Sequence, residues 1–229
     1  MAAKRKNNKE KRTFYMRMHK MLAGLVRLVL RVHVKGRENI PKTGGMVVCA
    51  NHVCLLDPVA IAAVCPRQLS FLAKKELFKI PVLRGIIRAF GAFPLDRRGD
   101  VGALRHAITL AAPKAEGSDV GDSMVLIFPQ GTRRQKQNPC GTPVKSGAAM
   151  VAFNAGVPML PVCVRMKKMK FCLFRRIDVI IGKPMTAEEL GFNEGGSQEF
   201  TAATKKVFRE VCRLGNFLPE DQTASANEN

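Results

Sequence analysis

A histidine stands within reach of a carboxylate in the stretch Ala50–Pro58, which reads ANHVCLLDP. His52 follows the apolar run MVVCA (Met46–Ala50), and Asp57 comes five positions later; the chain has only four histidines to place. A histidine is the side chain suited to take a proton from a hydroxyl at neutral pH. An aspartate bonding its other ring nitrogen fixes the tautomer and stabilises the imidazolium, as in a Ser-His-Asp triad. One helical turn between the two would bring them together. Cys54 lies between them, so a covalent intermediate on the cysteine is the competing chemistry, although nothing nearby in the chain activates the thiol. Taken singly, a histidine at a strand end is more often a satisfied structural residue.

A second stretch has chemical character. The run MVLIF (Met124–Phe128) leads into PQGTRR, offering Gln130, Gly131, Thr132 and Arg133. Taken singly, an arginine after a glycine turn is usually just solvated, although its planar guanidinium fork can match the oxygens of a phosphate monoester. In open α/β sheets, sites gather where loops leave the carboxyl ends of strands. Both stretches therefore require buried parallel strands that end on one edge.

The chain supplies such strands. Leu30 to Lys35, Met46–Ala50, Ser70–Ala73, Met124–Phe128, Val157–Met166 and Phe174–Gly182 read as strands, several of them continuous apolar runs. Between them, VAIAAV after Pro58, Asp100–Ala112 with Val101, Leu104, Ile108 and Ala111 on one face, and Lys145–Ala155 read as helices. Thr186 to Glu189 forms a capping box. Phe200, Thr204, Val207, Val211 and Leu214 mark an amphipathic helix from about Ser197. The predicted fold is α/β: a mostly parallel mixed sheet flanked by helices.

Charge narrows the partners. Lys+Arg number 38 against Asp+Glu 18, a formal net charge of +20 over 229 residues. Within residues 1–37, twelve lysines and arginines face one acid, Glu10. An anionic partner follows. Nucleic acid fits poorly, since there is no Trp and a single Tyr to stack bases. The run MLAGLVRLVLRVHV (Met21–Val34) is broken by Arg27 and Arg31 and is too short to span a bilayer. As a helix it suits the interface, where each basic residue near an anionic surface adds about 1 kcal/mol. The seven cysteines contain no C-x-x-C pair and sit mostly in apolar context, as buried small residues do in a reducing compartment. No metal site is expected.

Four ordered blocks resemble the glycerolipid acyltransferases, specifically the 1-acylglycerol-3-phosphate acyltransferases. The first is N-H-x4-D at Asn51, His52 and Asp57; the second is apolar-D-R at Leu95, Asp96 and Arg97. The third, F-P-E-G-T-R in the family, is met at Phe128, Pro129, Gly131, Thr132 and Arg133, with Gln130 replacing the glutamate. The fourth is V-P-apolar-apolar-P-V at Val157 to Val162. The resemblance implies His52 and Asp57 as the catalytic pair. It implies an acceptor and phosphate site at Asn51, Lys74 (with Lys75 as alternate), Arg97, Gln130, Gly131, Thr132 and Arg133. Gln130 can hydrogen-bond but brings no charge, which bears on acceptor preference.

The expected reaction moves a fatty acyl group from acyl-CoA or acyl carrier protein to the sn-2 hydroxyl of lysophosphatidic acid, giving phosphatidic acid with no cofactor. Residues 1–30 are expected to associate with an anionic membrane surface, 31–218 to form the catalytic domain, and 219–229 to be a disordered tail. The enzyme would then sit on the cytoplasmic face of the membrane, as a peripheral or monotopic protein. Rival readings are a sister acyltransferase for glycerol-3-phosphate or another lysophospholipid, a lipid- or polyanion-binding protein without turnover, and a thioester hydrolase.

Overall fold

The apolar runs become strands buried on both faces of one sheet. The computed structural model describes residues 22–67, 69–95, 101–116, 121–172 and 175–218. Most of the expected basic segment, the expected tail, Arg97 and the expected helix cap Asp100 lie outside those residues. Seven strands are described: β1 (Val32–Lys35), β2 (Met46–Ala50), β3 (Leu69–Lys74), β4 (Ala92–Leu95), β5 (Met124–Ile127), β6 (Met159–Met166) and β7 (Ile177–Ile181). Their lateral order is β1-β7-β6-β2-β5-β3-β4. Neighbours are parallel except β6 and β7. The mostly parallel sheet expected from the continuous runs is therefore present.

Successive side chains of a strand face opposite ways, and β2 shows it. Met46, Val48 and Ala50 join one core with α2 (Asp57–Val64) and α3 (Pro81–Ala89). Val47 and Cys49 join the other, with α4 (Val101–Ala111), α5 (Gly147–Ala155) and α7 (Ser197–Leu214). A first helix, α1 (residues 22–29), lies on the former side. There Ala23 and the following Leu30 are buried and Leu22 and Val26 pack on the core, while Leu25, Leu28 and Val29 stand exposed. Among the described residues no helix is long and apolar enough to cross a membrane.

Several elements differ from expectation. Residues 75–95 yield a helix, α3, and a strand, β4, that the sequence pattern left unassigned. The strand contains Pro94, which cannot donate to a ladder and is tolerated because β4 is the sheet edge. The face α4 buries is Ala103, Ala107 and Ala111, with Leu104 and Ile108 at its flank. Close approach to α5 favours the alanines over the bulkier residues beside them. The capping box at Thr186 is formed, its hydroxyl accepting from Glu189 N and its own N–H donating to the Glu189 carboxylate, and it opens α6 (Ala187–Leu190).

Candidate active site

Because β2, β5, β3, β4 and β6 all run the same way, their carboxyl ends lie along one edge of the sheet. The edge therefore carries, in spatial order, the residues after β6, His52 after β2, the Gln130–Arg133 loop after β5, Lys74 at the end of β3, and the end of β4 at Leu95. The backbone puts Lys74 opposite Leu95 in the ladder. Strand spacing is about 4.8 Å, so segments some eighty residues apart in sequence become neighbours.

Asp57 opens α2 and its side chain is fully buried. Its Oδ2 accepts from Val53 N at 2.6 Å, from Cys54 N at 2.8 Å and from the His52 Nδ1–H at 2.8 Å. The Cys54 thiol donates to Oδ1 at 3.1 Å. A loop folded back on the aspartate makes the pairing, since residues 51–56 are not helical; the expected helical turn is corrected to this loop. Its effect on His52 is decisive. Nδ1 carries the proton toward Asp57, leaving Nε2 as the basic nitrogen, and among the described residues Nε2 has no hydrogen-bond partner. The ring is stacked on Phe128, with centroids 4.1 Å apart and planes at 18°, and keeps 18 % exposure.

The acyl-cysteine alternative meets a physical obstacle. Cys54 is buried, and burial first, then the neighbouring Asp57 charge, pushes its thiol well above the ordinary range. It is held as a thiol that donates to the carboxylate, the opposite of an activated nucleophile.

Two residues expected at the acceptor are turned inward. Asn51 is fully buried, and its amide closes a pair with Val164, Nδ2 donating to the carbonyl and Oδ1 accepting from the N–H, both at 2.8 Å. It fastens the end of β2 to β6. Gln130, only 4 % exposed, accepts from the His52 N–H through Oε1 at 2.7 Å and donates through Nε2 to Thr142 Oγ1 at 2.7 Å. Thr142 in turn donates to Pro139 O. The amide thus holds the backbone of His52 instead of balancing the arginine beside it. The loop grips that backbone a second time, Arg134 N donating to His52 O at 2.8 Å.

Gly131, Thr132 and Arg133 are exposed, as a phosphate site requires. Gly131 has φ +66, a left-handed conformation that glycine adopts without strain. Lys145, which the sequence reading did not single out, lies along it: a Cβ on residue 131 would stand 3.4 Å from Lys145 Cε and 3.6 Å from its Nζ. The Lys145 N–H donates to Pro129 O at 2.8 Å, fixing its backbone beside the loop. Arg134 Nε is buried without a hydrogen-bond partner. No local sequence signal marks Thr142, Val164 or Lys145, because each reaches the site through tertiary packing. Among the described residues no group of three or more His, Cys, Asp or Glu could hold a metal ion.

The family model described as acyltransferase matches residues 31–165, more than half of the chain, from the start of β1 to the penultimate residue of β6. A 1-acyl-sn-glycerol-3-phosphate acyltransferase of Bacillus subtilis is 28 % identical over 212 residues, 89 % of this chain and 100 % of that protein. A second, of Streptococcus pneumoniae, is 32 % identical over 197 residues, 81 % of this chain and 70 % of its own length. The crystal structure of the 1-acyl-sn-glycerophosphate acyltransferase PlsC of Thermotoga maritima shares the fold, with TM-score 0.61 and 24 % identity over 89 % of this chain and 82 % of that one.

Proposed function

The chain belongs to the acyltransferase family, and on that premise we propose that it acylates the sn-2 hydroxyl of 1-acyl-sn-glycerol-3-phosphate, giving phosphatidic acid. The observation that carries the reading is the His52–Asp57 pair at 2.8 Å, with the aspartate fully buried and the only nearby thiol occupied as a donor. A site with a base and no enzyme nucleophile suits direct transfer to a substrate alcohol.

His52 Nε2 takes the proton as the acceptor oxygen attacks the thioester carbonyl. The new C–O bond forms, the tetrahedral adduct collapses, and the C–S bond breaks. The departing thiolate receives the proton from the imidazolium, which Asp57 stabilises through Nδ1. Charge and protons balance without a covalent enzyme intermediate. Arg133 holds the acceptor phosphate, with Thr132 and Lys145 beside it and Lys74 at the end of β3 on the same edge. The exposed Leu25, Leu28 and Val29 of α1, with Arg27 among them, rest against an anionic membrane surface from which the acceptor is drawn. The thioester is acyl-CoA or acyl carrier protein.

The test is thiol release from a long-chain acyl-CoA on anionic vesicles with lysophosphatidic acid, with glycerol-3-phosphate and with no acceptor. Release that requires lysophosphatidic acid and falls about 10²-fold or more in His52→Ala supports the reading. Preference for glycerol-3-phosphate moves it to the sister activity. Release without any acceptor makes the protein a hydrolase and sinks the proposal.

A further inference from the structure

An open groove of about 660 Å³ lies beside the catalytic pair and has no part in the chemistry above. Lys136, Asn138, Lys168, Met169, Lys170 and Phe217 line it, and no carboxylate does. Its volume falls within the range of small-molecule sites, about 300–1,000 Å³. The three lysines are exposed and form no ion pair with any described residue. Met169 and Phe217 give it an apolar floor.

The walls are built. Lys136 N donates to Met169 O at 2.9 Å, and Asn138 Nδ2 donates to Phe217 O at 2.9 Å. Lys136, Lys168 and Met169 all take left-handed backbone conformations, with φ of 59, 54 and 46. Residues other than glycine stay in that region only where their surroundings hold them.

Placement gives the groove meaning. Lys168 and Lys170 follow the carboxyl end of β6, which lies beside β2 and runs parallel to it. His52 at the end of β2 therefore has this groove on one flank and the β5, β3 and β4 ends on the other. The loop after β5 joins the flanks by crossing the tip of β2: Arg134 N meets His52 O, and Lys136 N meets Met169 O. Arg134, with its unpartnered Nε, stands between the base and the groove.

Three cations around an apolar floor suit a ligand with several phosphates and a flat ring. The acceptor has one phosphate and no ring, and the arginine loop on the other flank already provides for it. Acyl carrier protein carries its acyl arm without a phosphorylated nucleotide, so it would leave a groove of this volume unfilled. We infer that the groove takes the 3′-phosphorylated adenosine diphosphate of coenzyme A, its arm reaching the one or two strand spacings to His52. Donor and acceptor phosphates are then held on opposite sides of the base. This rests on the acyltransferase reading and names its donor.

The experiment uses the full chain and a variant with Lys136→Gln, Lys168→Gln and Lys170→Gln together, beside one with arginine at all three positions. Calorimetry measures coenzyme A and 3′-dephospho-coenzyme A without acceptor, and kinetics then give KM for palmitoyl-CoA and for lysophosphatidic acid. The native chain should prefer coenzyme A over the dephospho form by about tenfold or more, a charged hydrogen bond to phosphate being of that order. The glutamine variant should lose that preference and raise the KM for palmitoyl-CoA alone, while the arginine variant keeps both. Unchanged coenzyme A binding in the glutamine variant overturns the site, as does an equal rise in both KM values or a loss of vesicle binding instead. Coenzyme A binding through the lysines by a protein that transfers nothing would leave the site standing and defeat the reaction. Transfer from palmitoyl-CoA with the glutamine variant unaffected would do the reverse.

Discussion

The two loops that form the active edge are built on opposite principles. At the end of β2, Asn51, His52 and Asp57 are tied by hydrogen bonds to Val164, Gln130, Arg134, Val53 and Cys54. One loop further along, Gly131, Thr132 and Arg133 face outward with their polar groups free of described ion pairs. Proton transfer needs a nitrogen held to a fraction of an ångström, so that half is closed and satisfied. On the proposed reaction, a phosphate arriving from a lipid needs unneutralised donors, which an open loop offers. Rigidity and vacancy are thus separated by one strand spacing, and Gln130 and Arg134 couple them.

The comparison breaks most sharply at Asp57. Asp57→Asn replaces an acceptor of four hydrogen bonds by an amide that cannot accept on both ends, and the wrong His52 tautomer is favoured. We expect kcat to fall about 10³-fold or more, as tautomer loss does in a Ser-His-Asp triad, read from steady-state transfer. Next comes Asn51→Ala, which leaves a buried N–H and C=O of Val164 unmet and should cost about 2–4 kcal/mol, read as a lower urea midpoint. Arg133→Ala tests the open half. It should raise KM for lysophosphatidic acid about tenfold or more with the urea midpoint shifted by less than about 0.5 kcal/mol, as exposed positions behave. The smallest effect belongs to Gln130→Glu. One carboxylate oxygen still accepts from His52 N, while Thr142 must turn its hydroxyl from Pro139 to the other. A change of about threefold or less in kcat, under 1 kcal/mol, would confirm that residue 130 positions the base; a large change in acceptor KM instead would return it to the phosphate.

The outward loop and the His52–Asp57 pair were legible in the sequence, while the ties that hold the pair were not. The pair at His52 and Asp57, the arginine loop and the strands that present them all follow from local pattern, since an apolar run, a glycine turn and a short spacing are written in consecutive residues. Asn51 and Gln130 carry the same motif yet point inward, because their partners lie 113 and 78 residues away and no local pattern encodes them. Strand β4 was missed for a different reason: Pro94 reads as a breaker until the edge position of the strand is known.

Cys54 has a consequence for timing. Its thiol is buried against Asp57, whereas Cys172 is exposed. A thiol reagent can reach Cys54 only during moments when the loop of residues 51–56 lifts away from α2. Its labelling rate, set against the immediate reaction of Cys172, becomes a clock for that opening. Bound substrates that close the site should slow the clock, so a buried sulfur can time how often His52 and Asp57 come apart.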